Sequence, residues 1–333
     1  MKLIDTVKAS DRRLVAPIIS YPAAKLTNST ALENLKNPLK HYDTLFEIIS
    51  EFNIDIVMPF MDLTVEVEAL GIPIVFHENE SPNVEVHPLA KAEELKDYIV
   101  PNPNTDGRMP NFISVIKLLK NNTSKMVGGL VCGSFTLAGL MMGAEKLALN
   151  TLIDPDFCKK TIDFATSVIL PYAKAQVKAG ADFIVLLDPT AVLLSPKLYD
   201  EFAAPSIRQM VKELKVPVII HTCGNTTNIV PNMCKTGAQG LSLDGIVDFR
   251  KLSAVVPRDV VLIGNIDPVR VMNNAQSDEV YEKTMALLEE MKDVPNFILS
   301  TGCDLPPETP LVNVAAFCQA ARDFRRKLKY FIA

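Results

Sequence analysis

His221 and Cys223 stand two residues apart at the end of an apolar β-forming run, Val216-Pro217-Val218-Ile219-Ile220, and Gly224 follows Cys223 at once. A second such run, Phe297-Ile298-Leu299-Ser300-Thr301-Gly302, ends on Cys303. Side chains at i and i+2 of a strand project to the same face, so His221 and Cys223 face one side together. Where the two strands belong to one barrel, Cys303 meets them at the rim. One imidazole and two thiolates make a zinc set with a fourth position left open, as catalytic zinc sites require. The bland reading is a polar contact beside a small buried thiol, because free cysteine commonly packs as a hydrophobe. Two features favour a metal: the chain has only four histidines, and a glycine adjoins each cysteine, Gly224 and Gly302.

Two thiolates cancel the charge of a dication and make it a poorer activator of water than histidine and carboxylate ligands would. Such a centre is better suited to binding a substrate thiol, lowering its pKa and holding it as a nucleophile at neutral pH. Asp244, at the end of a neighbouring run, is the nearest carboxylate candidate for the fourth position. Cys132 ends another run and is a weaker candidate, while Cys158, Cys234 and Cys318 fall inside helical patterns as core residues.

These side chains need strands to carry them. Short β-branched runs bounded by turn residues predict strands at 14–20, 55–60, 126–132, 182–187, 216–221, 238–243, 260–265 and 297–302. Between them, helical spacing covers 42–52, 109–119, 155–179, 196–214, 227–235, 249–255, 278–291 and 311–330. Strands that alternate with helices imply parallel pairing, and eight such units close into a (β/α)8 barrel, an α/β fold in a single domain over 1–333. The connection at about 61–125 is too long for one unit and is expected to be an insertion, either a lid or a surface excursion. It holds an acidic patch, His77-Glu78-Asn79-Glu80, a small helix near 90–98 and a turn-rich stretch at 101–107.

The active site of such a barrel forms where the strands end. Here those ends are polar: Met61-Asp62, Asp188-Pro189, Ser242-Leu243-Asp244, Asn265-Ile266-Asp267 and Cys303-Asp304. Asp62, Asp188 and Asp244 are the candidate catalytic carboxylates. A single aspartate in such a place could instead cap a helix, a reading that applies to Asp188 and Asp267.

Bulk properties exclude other classes. The 333 residues are 48% hydrophobic and 22% charged, enough for a large core and too apolar for disorder. With a net charge of −5 there is no basic face for nucleic acid. The densest basic stretch, from Arg322 to Lys329, sits at the end of the last expected helix, where cations suit the helix dipole. Six cysteines without a signal-peptide pattern point to reduced thiols in a cytoplasmic protein. The uncharged stretch 126–143 reaches membrane-span length, but its glycines with Ser134 and Thr136 predict a buried strand running into a close-packed loop. Dinucleotide, P-loop, nucleophile-elbow and HExxH motifs are absent.

Three segments carry a family resemblance: 59–71, from Pro59-Phe60-Met61-Asp62 to Gly71; His221-Thr222-Cys223-Gly224-Asn225; and Gly302-Cys303-Asp304-Leu305-Pro306-Pro307-Glu308-Thr309-Pro310. With them the chain resembles the uroporphyrinogen decarboxylase superfamily, in its methylcobamide:coenzyme M methyltransferase branch, over roughly 11–325. The resemblance implies a barrel that moves a methyl group from a methylated corrinoid to a zinc-bound thiol such as coenzyme M, with His221, Cys223 and Cys303 as the zinc ligands. It also places Asp62 where the decarboxylases keep their catalytic aspartate. The chain has no Asp-x-His-x-x-Gly cobalamin motif, so the methylcobamide is expected on a separate corrinoid carrier protein. The decarboxylases bind substrate carboxylates through an Arg-rich segment after the first strand. Here that place reads Ser20-Tyr21-Pro22-Ala23-Ala24-Lys25, which disfavours a tetrapyrrole decarboxylase. The alternatives left open are such a lyase, a corrinoid:folate methyltransferase and a binding module without turnover.

Overall fold

Among the described residues the β-branched runs form a single curled sheet of seven parallel strands, hydrogen-bonded in chain order: β1 Ile56–Val57, β2 Met126–Cys132, β3 Phe183–Leu187, β4 Val218–Thr222, β5 Gly240–Leu243, β6 Val261–Ile266 and β7 Phe297–Thr301. The coordinates, a computed structural model, describe residues 2–324. Each crossover carries at least one helix, as parallel neighbours demand, and the architecture is an α/β fold like a TIM barrel.

The expected first strand is the exception. Residues 14–20 form no ladder strand, only one parallel bridge, Val15 to Leu299. Ala16 N–H donates to Leu299 O at 2.9 Å, and on the other side Asp55 N–H donates to Val15 O at 2.9 Å. Pro17 has no N–H to continue the ladder, and after Ser20 the chain turns into the 3-10 helix Tyr21–Thr27. The sheet is therefore seven-stranded where eight strands were expected, with a short extended segment touching both its edges.

Helix boundaries follow local chemistry. Asn37 accepts from the amides of Leu39 and Lys40 and starts the helix Pro38–Phe52. Asp154 caps Pro155–Ala179, and Gly180 ends it at φ +112°, a conformation glycine adopts without strain. The expected helix 196–214 is interrupted by a wider turn over Tyr199–Ala203, and 227–235 shrinks to Val230–Cys234. The last helix among the described residues is Leu311–Asp323. The remainder of the expected 311–330 helix and most of the basic stretch lie outside the described residues.

The uncharged stretch 126–143 is β2 followed by the helix Ser134–Met142, nearly all of it buried. No helix among the described residues is long and apolar enough to cross a membrane. Residues 61–125 hold the helices Val65–Ala69 and Met109–Asn122, the 3-10 turn Ala92–Asp97 and a Val75–Asn83 bridge.

Two apolar layers result. One lies between sheet and helices. The other lines the inside of the curl, where Phe183, Val185, Ile219, Val261, Ile263 and Ile298 form a cluster with Leu3, Ile4 and Val7 of the helix Leu3–Ala9. Each such side chain, fully removed from water, contributes about 1.5–3 kcal/mol to holding the strands that carry the site.

Candidate metal centre

His221 lies on β4, in register with Leu187 of β3 and Ser242 of β5. Its Nδ1 is 2.9 Å from Ser242 Oγ, which leaves Nε2 free for another partner. That partner is sulfur. Nε2 lies 3.2 Å from Cys223 Sγ and 3.6 Å from Cys303 Sγ, and the two sulfurs are 2.7 Å apart. The imidazole is buried and both cysteines are half-buried. Among the described residues these three form the group of histidine, cysteine and acidic side chains whose ligand atoms all lie within 4.8 Å of one another. Cys303 reaches the cluster because Gly302 lets β7 close on the β5 loop: a Cβ there would overlap the Gly245 amide nitrogen.

The contact with Cys223 holds the Cys303 thiol below its ordinary range, with His221 adding to the effect, while the contact with Cys303 and burial push the Cys223 thiol up.

The expected carboxylates are placed differently from one another. Asp244 is not in the donor group. Its Oδ2 accepts from Gly224 N–H at 2.9 Å and its Oδ1 from Ile246 N–H at 3.1 Å, so it ties the loop after β4 to the loop after β5. Asp62 is engaged elsewhere. Its Oδ2 meets Arg108 Nη1 at 2.5 Å, and its Oδ1 accepts from the amide and hydroxyl of Thr64, each at 2.7 Å. Arg108 also donates to Glu68 at 2.6 Å, closing a buried network across the 61–125 connection. Asp188 accepts from the amide and hydroxyl of Thr136 at 2.9 and 2.7 Å, and burial pushes its carboxyl up to about 6. It makes no helix-cap bond, whereas Asp267 does, accepting from the amides of Val269 and Arg270.

Other cysteines stand apart. Cys132 is buried, and its amide donates to Glu66 Oε1 at 2.8 Å. Cys158 and Cys318 are buried in helices as expected, and Cys234 is half-buried. The sequence reading assigned no role to Arg108, Glu66, Ser242 or Asp304. Burial pushes Glu66 up to about 8. Asp304, also pushed up to about 8 by burial, receives Ser20 N–H on Oδ1 and leaves Oδ2 buried without a hydrogen-bond partner. A lone arginine after Asp106-Gly107, in a segment otherwise made of turn residues, was the one available signal for Arg108.

The family described as Uroporphyrinogen decarboxylase (URO-D) matches residues 8–324. The chain belongs to the uroporphyrinogen decarboxylase family. Within it, methylcobamide:CoM methyltransferase MtbA of Methanosarcina acetivorans is 32% identical over 280 residues, 80% of this chain and 79% of that protein. A methylated-thiol–coenzyme M methyltransferase of Methanosarcina mazei is 28% identical over 320 residues, 91% of this chain and 84% of that one. A solved methyltransferase from Methanosarcina mazei superposes with a TM-score of 0.88 at 25% identity, covering 97% of each chain. This member of the family is a methyltransferase.

The donor set in this family member fits zinc. Tetrahedral bonds of about 2.3 Å to sulfur and 2.0–2.1 Å to nitrogen set N–S separations near 3.6 Å and an S–S separation near 3.8 Å. The observed N–S distances, 3.2 and 3.6 Å, are close to that, and the sulfurs at 2.7 Å need to part by about 1 Å. With Nδ1 held by Ser242, the imidazole has the outer-shell partner that metal-ligating histidines use.

Proposed function

We propose that this chain is a zinc-dependent methyltransferase that passes a methyl group from a methylated corrinoid to a thiol acceptor. The observation that carries the reading is the convergence of one nitrogen and two sulfurs, from β4 and the end of β7, within 4.8 Å. His221, Cys223 and Cys303 would hold the metal. When bound, zinc supplies a Lewis acid that lowers the pKa of the acceptor thiol and holds it as a thiolate.

The chain's own residues do the rest. Ser242 fixes the imidazole so that Nε2 faces the sulfurs. Asp244 anchors the Gly224 turn and keeps Cys223 at the rim, while Gly302 sets the approach of Cys303. The apolar interior below His221 excludes water from the nucleophile, which raises its reactivity. A methylated corrinoid would supply the methyl group: the thiolate's lone pair would form the sulfur–carbon bond, and the electron pair of the broken carbon–cobalt bond would stay with the corrinoid. Cobalamin chemistry belongs to the cofactor. A corrinoid carrier protein would present it at the mouth, and coenzyme M, named for the relatives, is one candidate acceptor.

The same reading takes residues 1–333 as one domain, with 61–125 as its insertion and the 14–20 segment as an eighth stave closing the barrel, in the cytoplasm. Asp188, whose amide donates to His221 O at 2.9 Å, is the carboxylate proposed to act near the donors. Decarboxylation of a tetrapyrrole is disfavoured because Arg108 is already paired with Asp62 and Glu68.

The test is metal content together with transfer from methylcobalamin to a thiol. About one zinc per chain is expected, and Cys223→Ala or Cys303→Ala abolishes transfer while the far-ultraviolet spectrum stays unchanged. Full activity in a zinc-free preparation overturns the reading. Transfer to a folate and not to any thiol redirects it to the folate acceptor.

A further inference from the structure

His221 and Ser242 form one wall of a cavity of about 30 Å³ inside the curled sheet. The rest of its lining is almost wholly apolar, including Ala16, Ile18, Met58, Met61, Val185 and Ile219, and among the described residues none that lines it is an aspartate, glutamate, lysine or arginine. The polar atoms on the wall already have partners: Ser242 Oγ lies against His221 Nδ1, and Ser300 Oγ donates to Ala16 O at 2.6 Å. A water placed here would find few of the partners it needs, so the space favours an apolar group. Met58 and Met61, which also line it, are half-buried.

A group bound through sulfur at the donor cluster has this well beside it, because His221 belongs to both. An anionic tail there would lose its hydration without gaining a cation, which is strongly unfavourable. An alkyl tail gains what the anion loses.

We propose that this well takes the carbon chain of the acceptor, so that neutral alkyl thiols of two or three carbons are preferred over a sulfonate such as coenzyme M, with Ala16, Met58 and Met61 setting the chain length. This rests on the reading that a thiol binds at His221, Cys223 and Cys303. The volume sets the length: one water-sized group needs about 10–15 Å³ on this measure, so about 30 Å³ admits two to three.

The test is calorimetric titration of the zinc-loaded protein with methanethiol, ethanethiol, 1-propanethiol, 1-hexanethiol and 2-mercaptoethanesulfonate. Affinity is expected to rise about fourfold per methylene up to propanethiol and to fall at hexanethiol. The sulfonate is expected to bind at least about tenfold more weakly than ethanethiol. Ala16→Val, which fills the well, is expected to abolish the gain with chain length, so that propanethiol binds no more tightly than methanethiol. Should that variant not fold, binding of xenon to the metal-free wild-type protein, read from the methyl resonances of Val185 and Ile219, reports on the same space. Thiol binding that is flat with chain length, sulfonate binding as tight as ethanethiol, or no xenon binding overturns the well and leaves the thiol site standing. Failure of every thiol to bind the zinc-loaded protein overturns the thiol site itself, and the well with it.

Discussion

His221 Nδ1 lies 2.9 Å from Ser242 Oγ across a register pair of β4 and β5, and this contact decides which imidazole nitrogen faces the two sulfurs. Ser242→Ala removes the contact and leaves the ladder intact. Zinc affinity, measured by competition with a chromophoric chelator, is expected to fall about 10–100-fold, as for other outer-shell partners, with unfolding by urea little changed. An unchanged affinity would show that the hydroxyl does not orient the ring.

Zinc should stabilise the fold through the donor cluster. At a free concentration of 100 times its Kd, the gain is about 2.7 kcal/mol in unfolding free energy. Cys223→Ala should lose that gain while its metal-free stability stays close to the metal-free wild type. Equal gains in both proteins would place the binding site elsewhere.

Arg108 and Asp62 form an ion pair whose side chains are 5% and 0% exposed. Arg108→Met leaves the Asp62 carboxylate buried without its cation, and a cost of about 3–5 kcal/mol is expected from urea unfolding. The double variant Arg108→Met with Asp62→Asn should recover part of that loss. If the double variant is as unstable as the sum of the two single ones, the pair is not the brace of the 61–125 connection.

Glu66 keeps its proton up to about 8 in the folded chain against an ordinary value of 4.5, because it is buried. Between those values the folded state binds a proton that the unfolded state has released. Stability from this group is therefore greatest below about 4.5 and declines as pH rises towards 8, by an amount on the order of a few kcal/mol. Asp188 acts with the same sign between 3.8 and about 6. Glu66→Gln should flatten the decline between pH 5 and 8, and identical slopes for variant and wild type would show that the carboxyl is not the source.

Gly302→Ala places a Cβ against the Gly245 backbone, which has no flexible end to yield. A cost of about 1–3 kcal/mol is expected from the overlap. Zinc affinity should fall with it, because Cys303 is the next residue. A variant of normal stability and affinity would mean that the β7 end is not held by this close approach.

Much of the architecture was legible along the chain. The runs at 126–132, 182–187, 216–221, 238–243, 260–265 and 297–302 each contain a strand within two residues of the expected bounds, because β-branched runs between turn residues are a local signal. The 14–20 run failed for a local reason that was also in view: Pro17 cannot donate, so only a bridge at Val15 forms. The end of the 196–214 helix was readable, but its wider turn at Tyr199–Ala203 was not, since nothing in helical spacing marks it.

The candidate ligands divide in the same way. Residue types and the two-residue spacing of His221 and Cys223 were enough to propose a soft donor set, because strand periodicity orients neighbours two apart without help from the rest of the molecule. Whether Cys303 joined them, and where each carboxylate turned, depended on contacts between residues far apart in the chain. Asp62 found Arg108, Asp188 found Thr136, and Asp244 found the amides of Gly224 and Ile246. A buried carboxylate must take the donors that packing brings to it, and only the tertiary fold determines which donors those are.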